Sequence, residues 1–275
     1  MLSIRTSLTS KCILAVVFCI WSSNYAKAVL YTGSGTSGFG GAVGGSTMNW
    51  TDDGTTITVD FTKGAGNFSD NFVLYLDTGA SGRNTIGTQV NDRADANRSS
   101  ITYMESSTGK TLTFPLSFEA THAIAINASF GGLWSISPTG SVGNNGLGFI
   151  AGVGNPTTPT DASFTFSFNV ADLGLTPSSG AQIDFVGTYL NPFGESNSLG
   201  FASNEGYGSG FGATNIGQED FTFAGSPESY ITAVPEPSAF LFGGLICGVL
   251  GANHVRKRRA TLGGELVSPL PSDQI

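Results

Sequence analysis

Four stretches of the chain carry residue types at spacings that can do chemistry. Leu74-Tyr75-Leu76-Asp77-Thr78-Gly79-Ala80-Ser81 sets an aspartate on a tight turn after an apolar run. Acid proteases use such an aspartate in pairs, because two carboxylates sharing one proton divide the acid and base roles. Asp-Thr-Gly occurs once here, so only a homodimer could assemble the pair; otherwise the motif is a strand ending in a side-chain-capped turn. Thr108-Gly109-Lys110-Thr111 ends like a phosphate-binding loop, but its first glycine would fall at position 104, which is Met. His122 is a candidate general base, yet no Gly-x-Ser-x-Gly accompanies it and no histidine pair stands ready for zinc. Asn91-Asp92-Arg93-Ala94-Asp95-Ala96-Asn97 gathers the oxygens that calcium prefers, with Asp92 and Asp95 as candidate ligands, although Arg93 opposes a cation.

The elements that would position these groups read as strands. Thr56 to Phe61 and Ser163 to Val170 alternate apolar and polar residues. FVLYL (72–76), SITYM (100–104), TLTFPLSF (111–118), AIAIN (123–127), QIDFVGTYL (182–190), DFTF (220–223) and SYITA (229–233) join them. Period-two runs between Gly, Asn, Asp and Ser predict half-buried antiparallel strands. The expected fold is all-β: a single antiparallel β-sandwich, jelly-roll or Ig-like. ADLGL (171–175) is the one helical turn expected. GSGTSGFGGAVGG (33–45) and residues 194–217 read as long mobile loops. Phe193, Phe201, Tyr207 and Phe211 make the later one a candidate ligand rim.

Composition narrows the function. Of 275 residues, 12% are charged and 39 are Gly, which suits an exported, turn-rich β-protein. The net charge of −8 is unevenly spread: basic residues gather at the two ends, and the region between holds five of them against eighteen acids. That acidic surface repels phosphate backbones, so no nucleic-acid partner is expected. Cys12, Cys19 and Cys247 lie in terminal apolar runs, so the middle has no disulfide framework and no thiol nucleophile.

The ends are segments of their own. Arg5 and Lys11 precede the apolar run CILAVVFCIW, and Ala26-Lys27-Ala28 follows it. This predicts a signal peptide over residues 1–28, cut by signal peptidase after Ala28. At the other end stand Val234-Pro235-Glu236-Pro237, an apolar run over 239–255, and Arg256-Lys257-Arg258-Arg259. The run predicts one C-terminal transmembrane helix, about 25 Å long against a membrane core of about 30 Å. The basic cluster would stay cytoplasmic. Residues 261–275 are then a cytoplasmic tail, expected to be disordered.

The order of these features over residues 233–260 resembles the PEP-CTERM sorting signal. The resemblance implies a membrane-embedded exosortase as processing partner, cleavage near the Pro-Glu-Pro motif, and transfer from the inner membrane to the cell surface. Within the acidic domain, residues 29–232, about residues 70–225 more loosely resemble the β-sandwich of DOMON-type domains and family 9 carbohydrate-binding modules. NFVLYLDTGASGRN, LTFPLSFEATHAIAIN, GGLWSI and FTFSFNVADLGLTPSSGAQIDFVGTYLN carry that resemblance, which implies an extracellular sandwich for sugar or haem.

Trp50 and Trp134 are candidate sugar-stacking rings, with a place in the core as the competing reading. The expected function is a non-enzymatic surface or matrix protein that binds extracellular polysaccharide. A structural protein with no small-ligand site and a secreted hydrolase are the alternatives. No cofactor is expected apart from the candidate calcium.

Overall fold

The computed structural model describes residues 27–35, 41–87, 89–105, 108–109, 111–191, 201–208, 220–223, 225–234, 248–254 and 256. The chain divides into two units, Ala26–Val234 and a second made of Met1–Tyr25 with Pro235–Ile275.

Strands dominate the first unit. They are β1 (Lys27–Thr32), β2 (Thr47–Asp52), β3 (Thr56–Thr62), β4 (Asn71–Asp77), β5 (Thr85–Ile86), β6 (Met104–Glu105), β7 (Thr108–Gly109) and β8 (Leu112–Thr113). There follow β9 (His122–Ile126), β10 (Gly131–Ser135), β11 (Gly148–Gly152), β12 (Ser163–Asn169), β13 (Gln182–Asn191), β14 (Phe201–Tyr207), β15 (Phe221–Thr222) and β16 (Glu228–Ile231). A four-stranded antiparallel sheet runs β1-β2-β3-β12. A seven-stranded one runs β11-β10-β9-β4-β13-β14, with β16 also on β13. The ten residues of β13 make this possible: residues 184–190 pair with β4, while the other edge is shared by β16 and β14.

The two sheets face each other across an aromatic core. In β3 the alternation of TITVDFT puts Ile57, Val59 and Phe61 inward. In β12 Phe166 and Phe168 do the same. Opposite them stand Phe72, Leu74 and Leu76 of β4 with Ile183 and Phe185 of β13. Trp50 stacks on Phe185, ring centres 4.6 Å apart and 8° from parallel.

A second core lies on the other face of the seven-stranded sheet. There Val73 and Tyr75 of β4 meet Ile86, Ile101, Leu112, Phe114 and Phe118. The segment between β4 and β9 thus folds back as a third layer, with β5, β8 and β15 forming a small sheet of their own. Hence β4 is buried on both faces rather than half-buried. FVLYL contains no polar alternate, and a continuous apolar run is the pattern of a strand covered on both sides.

Two local expectations are corrected. Of residues 100–104, expected as a strand, 100–102 instead end a helix, Ala96–Thr102, and β6 begins only at Met104. Asp95 caps that helix by accepting from the Arg98 N–H at 3.0 Å, and Tyr103 closes it in the left-handed region at φ 53°. A local cap outweighs the β-propensity of Ile101, Thr102 and Tyr103. The glycine-rich stretches are built into the fold where they are described. Ala42 and Val43 sit in the core, and a Cβ on Gly64 would lie 2.1 Å from the Gly44 carbonyl, so two backbones touch there. Residues 201–207 form β14 and bury Tyr207, which meets the Ser46 hydroxyl at 2.5 Å. Phe193 and Phe211 lie outside the described residues. The expected turn at 171–175 appears as a 3-10 helix, Val170–Leu173.

The terminal expectations fall mostly outside the described residues: 1–26, including Ala26; Pro235, Glu236 and Pro237; Lys257, Arg258 and Arg259; and 261–275. Of the apolar run 239–255, Gly248 to His254 are described; they are helical and exposed, as is Arg256. No helix among the described residues is long and apolar enough to cross a membrane. Ala28 lies within β1, in register with Thr51. A cut after it before folding would leave Val29–Thr32 to form the strand.

Candidate functional site

The tempting catalytic residues are occupied by structure. Asp77 ends β4, and its two carboxylate oxygens accept from the N–H groups of Gly79 and Glu119, each at 2.8 Å. Its register partner Asp184 accepts from Gln182 Nε2 at 2.8 Å and from the Ser229 hydroxyl. Asp77 thus caps the turn that follows β4. His122 opens β9 and meets the Thr121 hydroxyl at 3.0 Å; burial holds its pKa below the ordinary value. Thr108–Gly109 is a strand and leads to strand β8, where a phosphate-binding loop would start a helix.

The candidate calcium loop is corrected in the same way. Asp92 is fully buried. Its carboxylate accepts from Leu147 N–H at 2.9 Å and Ala94 N–H at 3.2 Å, and pairs with Arg98 at 3.4 Å. Asp95 is the helix cap and lies 3.2 Å from Arg98 Nε. A guanidinium therefore already supplies the positive charge between these two acids. Among the described residues, no three His, Cys, Asp or Glu side chains are grouped to hold a metal.

Trp50 and Trp134 are also corrected as ligand platforms: both are buried, one in each core. A flat apolar ring in a two-layer core gains more from burial than from a partly wet surface. Trp134 nevertheless marks a surface feature that the sequence did not reveal. Phe130 and Phe149 are 43% and 51% exposed. Both pack on Trp134, with ring centres 6.2 Å and 5.7 Å away.

The cluster sits on the edge strand β11 and the turn before β10. Gly132 makes room for it, since a Cβ there would lie 2.6 Å from the Trp134 ring and 2.9 Å from that of Phe130. The turn is held stiffly. Asn127 Oδ1 accepts from the N–H groups of Ser129 and Phe130 at 2.8 and 2.9 Å. Asn97 Nδ2 donates to the Phe130 carbonyl at 3.3 Å. The two rings, their centres 6.2 Å apart, form a half-exposed aromatic pair on this base.

A second feature concerns the exit of the chain. Asp52, at the end of β2, is 3% exposed. It accepts from the Gly54 N–H at 2.7 Å, the Ala233 N–H at 2.9 Å and the Tyr230 phenol. The β-unit is thereby fastened up to the residue before Val234, which is 60% exposed. No protein-family model, curated protein or solved structure matches the chain.

Proposed function

We propose that this chain is an exported cell-surface protein delivered by a PEP-CTERM-type sorting signal. In this reading signal peptidase removes residues 1–28. The apolar run 239–255 holds the chain in the inner membrane, and an exosortase cuts near Val234-Pro235-Glu236-Pro237. The observation that supports it is the coincidence of two boundaries. The β-unit ends at Val234, where the proline motif begins, so the motif follows directly on the last residue of that unit. Residues 29–232 are then the delivered cargo, a β-sandwich thickened on one face. A non-enzymatic role is supported by the use of Asp77, Asp92 and Asp95 in a turn, a buried pair and a cap. Mass spectrometry of surface-extracted protein tests this: a new C-terminus between Val234 and Ser238 is expected, and an intact tail on most surface molecules would overturn it.

A polysaccharide-binding cargo is the reading favoured by Phe130 and Phe149. Sugar rings present apolar C–H faces that lie well against such aromatic groups. The structural-protein alternative predicts no loss of matrix retention when both rings are removed.

A further inference from the structure

We propose that Asn145 is a self-modification site of the folded protein: its side-chain amide closes onto the Gly146 nitrogen and is converted by water to a carboxylate. This chemistry is independent of the sorting and polysaccharide readings.

Asn145 and Gly146 lie in the connection between β10 and β11, and both are exposed. Asn-Gly occurs once in the chain. The fold itself calls for this pair. Asn145 holds a φ of 65°, in the left-handed region that Asn tolerates and most residues avoid. At position 146 a Cβ would lie 2.3 Å from Val142 Cγ1 and 2.8 Å from the Gly143 carbonyl oxygen, so glycine is the residue that fits. Glycine after Asn is also what the reaction needs, because no side chain shields the backbone nitrogen from the amide carbon. Asn144 is equally exposed but is followed by a residue with a side chain, which makes it the internal comparison.

The step needs no co-reactant beyond water. The Gly146 N–H gives its proton to solvent base, and the nitrogen bonds to Asn145 Cγ. The bond from Cγ to the side-chain nitrogen breaks, and ammonia leaves. Water then opens the cyclic imide at either carbonyl. The products are aspartate and its isomer, in which the main chain runs through the side chain. Nothing is oxidised or reduced.

Two hydrogen bonds set the pace. Gly146 N–H donates to the Gly143 carbonyl at 2.8 Å, and Arg98 Nη1 donates to Asn145 Oδ1 at 3.2 Å. Both must open before the ring closes, so the rate follows local opening of this turn rather than global unfolding. The two products differ in what they do to the fold. Aspartate leaves the backbone unchanged and offers Arg98 a carboxylate where the amide oxygen stood, an ion pair of the charge-assisted kind. The isomer lengthens the main chain and draws the Leu147 N–H away from Asp92, its acceptor at 2.9 Å. Leu147 leads directly into β11, which carries Phe149.

The test ages the full chain in mildly alkaline buffer and follows it by peptide mass spectrometry, isoelectric focusing and hydrogen exchange. The Asn145 amide should be lost while Asn144 stays intact. An isoaspartate methyltransferase should label the peptide that contains residue 145. The ageing chain should drift to an acidic isoform, and Asn145→Gly, which keeps the left-handed turn, should not. Exchange of the Leu147 amide should quicken in the isomer-bearing fraction and stay as in fresh protein in Asn145→Asp. An intact Asn145 in aged folded protein, under conditions where the urea-unfolded chain converts, would overturn the proposal. Equal conversion at Asn144 would do the same.

Discussion

Trp50 lies flat on Phe185, ring centres 4.6 Å apart, and the pair ties β2 of one sheet to β13 of the other. Tyr31, Phe168 and Tyr230 close around the same indole. This fixes Trp50 as a cross-sheet anchor. Trp50→Ala should destabilise the protein by about 3–5 kcal/mol, read as a lower urea midpoint. The same loss should appear with or without added polysaccharide.

The Phe130 and Phe149 rings carry the opposite expectation. Both are about half exposed, so Phe130→Ala with Phe149→Ala should shift the urea midpoint little, by about 1 kcal/mol or less per site. Affinity electrophoresis against a panel of polysaccharides should show the native protein retarded by one of them and the double variant running free. Equal mobility of the two on every gel would remove the glycan reading and favour the structural one.

Asp92 should behave as a buried partner of Arg98. Asp92→Ala leaves the buried Leu147 N–H without its acceptor and Arg98 with Asp95 as its one acid, and should cost about 1–3 kcal/mol. That loss should be the same in millimolar calcium as in chelator. A calcium-dependent rise in Tm, abolished by this substitution, would restore the metal reading of the loop.

Alkali should unfold this protein through its tyrosines. Burial raises the phenol pKa values of Tyr31, Tyr75, Tyr189, Tyr207 and Tyr230 above the usual value. The folded state keeps protons that the unfolded state releases near pH 10. Stability is therefore full below about pH 10 and is lost as pH rises above it. Absorbance at 295 nm should stay low past that pH, then rise together with the loss of far-ultraviolet dichroism. A smooth titration centred at pH 10 in folded protein would contradict the burial of these groups.

The strands of the core were legible because alternation is a local signal. TITVDFT and SFTFSFN name their own inward faces, and the structure places those faces as expected. GFIAG and FASNEGY carry too few apolar alternates to be read, yet tertiary pairing makes them β11 and β14. The helix at Ala96–Thr102 went unseen because its signal is a single capping aspartate, hidden in a cluster that also reads as a cation loop. Trp50 and Trp134 show the limit most directly: an aromatic residue type predicts contact with something flat, but not whether that partner is a ligand or the protein.

Composition and local pattern already specify a β-rich chain, an acidic middle free of cysteine, and two terminal segments of distinct composition. These follow from residue types, period and order, which need no knowledge of distant contacts. Long-range packing covers β4 on both faces. It also decided that Asp77, Asp92 and Asp95 serve turns, a buried pair and a cap, and that Phe130 and Phe149 face outward. Whether a carboxylate is a catalyst or a clamp depends on which donors reach it. For Asp52 those include the phenol of Tyr230 and the N–H of Ala233, far along the chain, and only folding brings them there.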